Sequence, residues 1–291
     1  MTKEMKHTDT LQRYLFDKAD VRGELVQLEQ SYQQILTNHN YPATVQRLLG
    51  ELQAATAMLT ATLKFEGEIA VQMQGDGPLR LAVINGNHQH IMRGVARFEG
   101  EVPEGNLQQQ LGKGHLAITI SPTNGERYQG IVALDKPTLA ENIEQYFAQS
   151  EQLNTRLWLH ADGKHACGML LQQMPASNVI ATVPFEHLEA LTETIKADEL
   201  FTLAANEVLY RLYHEESIQV FEPASISFRC GCSRERSMAA LRSIDKNELK
   251  SLLEEQGKIQ MHCDYCNSNY SFDALDVAAM QQSQPGNDTR H

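Results

Sequence analysis

Four cysteines stand in two close pairs toward the end of the sequence, Cys230-Gly231-Cys232 and Cys263-Asp264-Tyr265-Cys266. Thiolates at such spacing supply two corners of a tetrahedral metal site per pair, and a set of four suits zinc. The Cys263 pair has the spacing of a zinc knuckle. The Cys230 pair is tighter, and Gly231 is expected to let so short a loop take the backbone dihedrals it needs. The first expectation is therefore one Zn2+ per chain, held by Cys230, Cys232, Cys263 and Cys266. His262 adjoins Cys263 as a substitute ligand, but four thiolates already satisfy the metal. A purely structural zinc ribbon is the plainest reading of this set. Thiolates are also nucleophiles, however, and a sulfur oxidised to a disulfide no longer serves as a thiolate ligand. A segment of roughly 50 residues has too small a core to fold comfortably without metal. Structural zinc contributes on the order of 10–16 kcal/mol in finger peptides. Oxidation could thus unfold such a module, which makes a switch physically feasible.

The elements that must position these thiols follow from periodicity. Asp245, three residues before Glu248 and followed by Leu249, Leu252 and Leu253, opens a short helix that Gly257 stops, between the two cysteine pairs. Before the cysteines, Leu188, Leu191 and Ile195 share one helical face and Ala205, Val208, Leu209 and Leu212 another. Apolar stripes of this kind need a partner surface. Ile218 to Phe221 reads as a strand, and Glu222-Pro223 punctuates the chain. Earlier still, alternating runs at Ile69–Met73 and Leu79–Val83 flank the turn Gly75-Asp76-Gly77-Pro78 and read as a hairpin. Leu116–Ile120 and Tyr128–Leu134 flank Asn124-Gly125 in the same way, and Leu157–Leu159 and Met169–Leu171 flank Asp162-Gly163. Val45, Leu48, Leu49 and Leu52, continued by Leu59 and Leu63, make a buried helical stripe with Pro42 in its first turn. Thr138 and Glu141 have capping-box spacing ahead of Leu139, Ile143, Tyr146 and Phe147. The expected fold class is α+β: an N-terminal domain of antiparallel hairpins packed with helices, a helical linker and a small C-terminal zinc module. The expected boundaries are a core domain over 1–180, the linker over 181–225, the four-cysteine module over 226–280 and a loose tail over 281–291.

Composition narrows the function classes. The chain has 291 residues, of which 42% are hydrophobic and 21% charged, an ordinary globular balance. No apolar run reaches the roughly 18 residues needed to span a bilayer, and Met1–Thr10 lacks the apolar stretch of a secretory signal. A cytoplasmic location without membrane attachment is expected, and that compartment keeps thiols reduced. The net charge is −12, and residues 226–276 hold seven Lys or Arg against eight Asp or Glu. Nucleic-acid-binding zinc modules are normally basic, so no nucleic-acid partner is expected.

The segments CGCSRERS and MHCDYCNSNYSF closely resemble the zinc centre of the bacterial redox-regulated heat-shock chaperones, the 33 kDa chaperonin family. QRYLFDKADVRGELVQL, NHNYPATVQRLLGEL, LKFEGEIAVQMQGDGPLRLAVING, GERYQG, LTETIKADEL and NEVLYRLYHEE resemble that family as well, so the likeness spans nearly the whole chain. It implies an ATP-independent holdase, not an enzyme, that binds unfolding client proteins under oxidative and heat stress. It implies that Cys230, Cys232, Cys263 and Cys266 bind zinc when reduced. It further implies that peroxide or hypochlorite, together with heat, joins Cys230–Cys232 and Cys263–Cys266 as disulfides with zinc release. Dimerisation on activation is implied too.

Two other classes compete. A thiol oxidoreductase or isomerase would use Cys263-x-x-Cys266, but would need that pair at a helix start, where the dipole lowers a thiol pKa. Asn267-Ser268-Asn269 after the pair suggests a knuckle instead. A structural zinc protein binding a partner such as RNA would hold its partner in a salt-sensitive way. Cys167, near His165 and Gly168, stands apart from the motif and reads as a buried packing residue rather than a nucleophile. His88 and His90, expected on one side of a strand, and His160 and His165 read as surface histidines rather than metal pairs. Gly112-Lys113-Gly114 lacks the rest of a phosphate loop and reads as a turn. Arg234, Arg236 and Arg242 read as a solvated surface.

Overall fold

The computed structural model describes residues 8–37, 39–63, 65–175 and 182–282. The chain divides into two compact units at Arg229/Cys230. The junction expected at residue 180 falls among residues outside the described set, as does the expected tail from residue 283 onward.

The larger unit begins with strands β1 (Thr10–Phe16) and β2 (Val21–Leu28), then helices α1 (Gln30–Leu36) and α2 (Ala43–Thr60). Next come β3 (Gly67–Gly75), β4 (Leu79–Asn87), β5 (Ile91–Phe98), α3 (Leu107–Leu111), β6 (Gly114–Pro122), β7 (Tyr128–Ala133) and α4 (Leu139–Tyr146). After these come β8 (Thr155–Ala161), β9 (Ala166–Gln173), α5 (Phe185–Thr192), α6 (Ala197–Thr202), α7 (Ala205–Tyr213), β10 (Ile218–Val220), β11 (Ala224–Ser225) and β12 (Ser227–Phe228). The three hairpins expected from alternation are present as β3/β4, β6/β7 and β8/β9, all antiparallel. The Thr138/Glu141 capping box that starts α4 forms as well.

The strands build two sheets. The first runs β10-β1-β2-β9-β8, with β11 also paired to β1; the second runs β12-β5-β4-β3-β6-β7, with β12 parallel to β5. Helix α2 packs against strands of both sheets. Its sequence stripe suggested one buried face, yet Gly50, Ala54, Ala55 and Ala57 are buried along with Leu49 and Leu52. Small residues let the sheets close on the remaining faces. At Gly50 a Cβ would fall 2.6 Å from that of Ala161, closer than real side chains come. The helix ends at Thr60 rather than continuing to Leu63, and Pro42 precedes its first turn as the N-cap. Leu63 still packs on the core from beyond the helix end.

A second core covers the opposite face of the first sheet. Tyr14, Phe16, Val21, Leu25, Met169 and Leu171 meet Leu188 of α5, Leu200 of α6 and Val208, Leu209 and Leu212 of α7. The apolar stripes of the expected linker thus find their partner surface on this sheet. Polar ties fix the arrangement. Gln27 Nε2 donates to the carbonyls of Leu200 and Leu203 at 2.7 and 2.8 Å. Arg156 on β8 reaches Glu144 of α4 at 2.8 Å and Glu189 of α5 at 2.7 Å.

The smaller unit contains α8 (Arg234–Leu241), α9 (Lys246–Gln256), the hairpin β13 (Ile259–His262)/β14 (Asn269–Phe272) and α10 (Ala274–Gln282). Asp245 caps α9 and Gly257 ends it in the left-handed conformation, as the sequence suggested. The Asp245 carboxylate accepts from Asn247 N–H rather than completing a box with Glu248. The buried core here is small, formed by Leu241, Leu249, Ile259, Phe272, Val277 and Met280.

Candidate metal centre

The two cysteine pairs arrive from different local structures. Cys230 and Cys232 lie in the loop ahead of α8, whose N-cap Ser233 accepts from Arg236 N–H at 3.2 Å. Arg236 also donates from its guanidinium to the Gly231 carbonyl. Gly231 is not among the positive-φ glycines. A Cβ there would meet Arg236 Nη1 at 2.8 Å, the movable end of a long side chain. The loop's dihedrals therefore do not require glycine, and its space does so only weakly. Cys263 and Cys266 occupy the turn of the β13/β14 hairpin, closed by Cys263 N–H to the Ser268 carbonyl at 2.9 Å and Asn267 N–H to the Cys263 carbonyl at 2.8 Å. This is the knuckle expected from Asn267-Ser268-Asn269 and not a helix start.

The four Sγ atoms lie within 4.8 Å of one another. Cys230 and Cys263 approach to 3.4 Å, and Cys232 and Cys266 to 3.3 Å. A zinc tetrahedron with Zn–S of about 2.3 Å has edges of about 3.8 Å, so small outward shifts of the side chains would seat the ion. The surroundings suit thiolates. Backbone N–H groups of Cys232 and Ser268 donate to Cys230 Sγ and Cys266 Sγ respectively. Tyr270 Oη donates to Cys232 Sγ at 3.1 Å, and Ser268 Oγ lies 3.2 Å from Cys266 Sγ. Without metal, burial pushes the Cys230 thiol up, despite its backbone hydrogen bond. At Cys266 burial also opposes ionisation, but the hydroxyl and N–H of Ser268 and the neighbouring thiols bring it down to about 7. Four thiols that crowd one point suit a cation that takes all four as thiolates. Among the described residues this is the one cluster of three or more Cys, His, Asp or Glu side chains able to hold a metal ion.

Side chains around the centre correct part of the sequence reading. Arg234, expected to be solvated, pairs with Asp276 at 2.5 Å, donates to the Ser271 carbonyl at 2.6 Å and lies 4.5 Å over the Phe272 ring. It ties α8 to the hairpin and to α10. Tyr270 was not singled out by sequence; an aromatic alternating with Phe272 on a short strand carried no signal beyond packing.

The remaining candidates resolve plainly. Cys167 is 1% exposed in the second core, and burial pushes its thiol well up. It is a packing residue. His88 and His90 lie in the β4–β5 turn, not on a strand. His88 Nδ1 accepts from Gly67 N–H at 3.2 Å, and His90 Nδ1 lies 3.0 Å from Thr60 Oγ1. His165 bonds Asp162 at 3.1 Å. His160 is held below its usual pKa by burial. Lys113 follows the left-handed Gly112 that ends α3 and donates its N–H to Asp76 at 2.7 Å, so Gly112-Lys113-Gly114 is a turn.

Comparison with known proteins agrees with this architecture. The Hsp33 protein family matches residues 9–273. A 33 kDa chaperonin of Shewanella woodyi is 61% identical over 97% of this chain and 99% of its own. One from Photobacterium profundum is 56% identical over 96% of this chain and 97% of its own. The crystal structure of the 33 kDa chaperonin (heat shock protein 33 homolog) from Thermotoga maritima superimposes with a TM-score of 0.81 at 25% identity. That likeness covers 94% of this chain and 98% of the other. The fold, the cysteine cluster and this coverage together place the chain in the Hsp33 family.

Proposed function

We propose that this chain is an ATP-independent holdase chaperone of the cytoplasm, silent while its four thiolates hold one Zn2+ and active once they are oxidised. The observation that carries the reading is the convergence of four Sγ atoms within 4.8 Å in a unit with so small a core. Family membership supports the chaperone function itself. When bound, zinc supplies a cross-link among four thiolates and no redox chemistry of its own. Cys230 and Cys232 fix it to the loop before α8, and Cys263 and Cys266 fix it to the hairpin.

Activation is oxidation of the ligands. A thiolate attacks hydrogen peroxide; the S–O bond forms, the O–O bond breaks, and the departing hydroxide takes a proton. The second thiolate of the pair attacks the sulfenic sulfur and expels a second hydroxide, which is also protonated. Two thiolates, one peroxide and two protons give one disulfide and two waters. We assign the pairs as Cys230–Cys232 and Cys263–Cys266, which are neighbours in sequence. Disulfide sulfurs no longer serve as thiolate ligands, so the smaller unit loses its cross-link and unfolds.

Residues 226–280 are the redox module in this reading, and residues 181–225 are the linker whose docking depends on it. The linker ends in β10 and β11, short strands at the edge of a sheet, followed at once by β12 and the cysteine loop. Loosening there, helped by heat, uncovers Leu188, Val208 and Leu209 for unfolding client proteins, and the exposed surface favours a homodimer. No helix of the described residues is long and apolar enough to cross a membrane, and the chain's net charge of −12 disfavours a polyanionic partner such as nucleic acid.

The test is light scattering of a thermally unfolding client mixed with reduced or peroxide-treated protein. Suppression by the oxidised form alone, abolished by dithiothreitol, is expected. Equal suppression by both forms would reject the switch. Insulin reduction at a catalytic rate would favour a thiol oxidoreductase instead.

A further inference from the structure

The sulfurs of the metal centre do not receive the same hydrogen bonds. Cys230 takes a backbone N–H, from Cys232, and Cys266 takes the N–H of Ser268, whose Oγ lies 3.2 Å from Cys266 Sγ. Cys232 has instead the phenol of Tyr270, with Oη 3.1 Å from Sγ. That phenol is positioned by the fold rather than by chance. Tyr270 sits opposite Met261 in the β13/β14 ladder, the same ladder whose last pair, His262 and Asn269, leads directly into Cys263. Its ring packs beside the small core, leaving the hydroxyl at the sulfur.

We infer that Tyr270 is a positioning residue of the metal centre: its hydroxyl holds the Cys232 thiolate as a ligand and slows its reaction with peroxide. This inference rests on the zinc-switch reading above. Two physical effects act in the same direction. A donor aimed at a metal-bound ligand fixes its orientation, and losing such a partner typically costs 10–100-fold in metal affinity. A hydrogen bond to a thiolate also withdraws electron density, and a sulfur made less basic is less nucleophilic. In the step with peroxide, the sulfur density that forms the S–O bond is lowered by the Tyr270 O–H. Attack by Cys232 Sγ is therefore slowed. The Tyr270 hydroxyl bonds Cys232, so the Cys230–Cys232 pair is the one whose oxidation Tyr270 restrains.

Tyr270→Phe keeps the ring and removes the hydroxyl. In the full-length reduced chain, zinc affinity measured by chelator competition is expected to fall about 10-fold. Peroxide-driven zinc release should accelerate several-fold. In the Co2+-loaded chain the thiolate-to-metal charge-transfer band should move, because one sulfur has lost a donor; a ring that served only for packing would leave it in place. Replacing Tyr270 with 3-fluorotyrosine, a stronger donor of nearly the same shape, should move band and release rate the opposite way. Affinity, band and release rate all equal to wild type in Tyr270→Phe would overturn the inference while leaving the zinc switch standing. A wild-type chain that bound no zinc would overturn both.

Discussion

The two units of this chain are held together by different physics. The larger has two apolar cores separated by one sheet, and a helix, α2, buried almost all round between two sheets. Burial of apolar surface at this scale needs no cofactor. The smaller unit buries six apolar side chains and gathers four thiols. Its ion pair between Arg234 and Asp276 lies at a surface where such pairs contribute modestly. The cysteine of the larger unit, Cys167, is sealed in the core with its thiol pushed up. The other unit gathers four thiols around one point. On the proposed switch, placing chemical sensitivity in the unit least able to fold alone would let a small oxidative event have a large structural effect.

The sharpest way to break this contrast is to remove the metal. Chelation, or Cys263→Ser, removes a contribution on the order of 10 kcal/mol. It should collapse the dispersed amide signals of residues 230–282 in an NMR spectrum while those of the larger unit persist. The reverse experiment is Leu52→Ala in α2, a fully buried position. Calorimetry should show the larger unit losing about 2–5 kcal/mol, with zinc stoichiometry unchanged.

Acidity separates the units in sign. Burial raises Glu24 from 4.5 to about 7, against the opposing pull of Arg22 and Arg13. Because the folded pKa lies above the unfolded one, the stabilising contribution is complete below about pH 4.5 and is lost as pH rises through 7. Glu24→Gln should therefore flatten that loss and be more stable than wild type at pH 8, by about 3 kcal/mol at most. Urea titrations at pH 5 and 8 would check it. In the proposed zinc-bound form the metal centre would run the other way, since protons compete with zinc for thiolates and acid would weaken its hold.

The smallest effect concerns Arg156, whose guanidinium is shared among Glu144, Glu189 and Glu193. Arg156→Met should weaken the docking of α5 by about 1 kcal/mol. Hydrogen exchange should then show α5 opening at lower temperature, and added salt should narrow the difference from wild type.

Much of this contrast was legible in the sequence. Three hairpins announced themselves by alternation around glycine turns, and the cysteine spacing marked the metal centre. Strands β1 and β2 were not legible, because Gln12, Glu24 and Gln27 are buried there and interrupt the apolar pattern. Gln27 is inside because it ties β2 to the end of α6, a contact with a residue 173 positions away. The all-round burial of α2 was hidden because alanine and glycine carry little apolar signal, although their smallness is what lets two sheets approach. At the site, the gathering of the four thiols could be expected from spacing, but their hydrogen-bond donors could not. Tyr270 and Arg234 act through the register of a short hairpin and the packing of two helices, and neither is encoded by a local pattern.

The central claim is that loss of the thiolate ligands, loss of zinc and gain of chaperone activity are one event. A peroxide titration at raised temperature tests it directly, with free thiols, released zinc and suppression of client aggregation followed in the same sample. The three curves should coincide, ending near one zinc released per chain and four thiols consumed. Full suppression of aggregation while zinc remains bound would contradict the account.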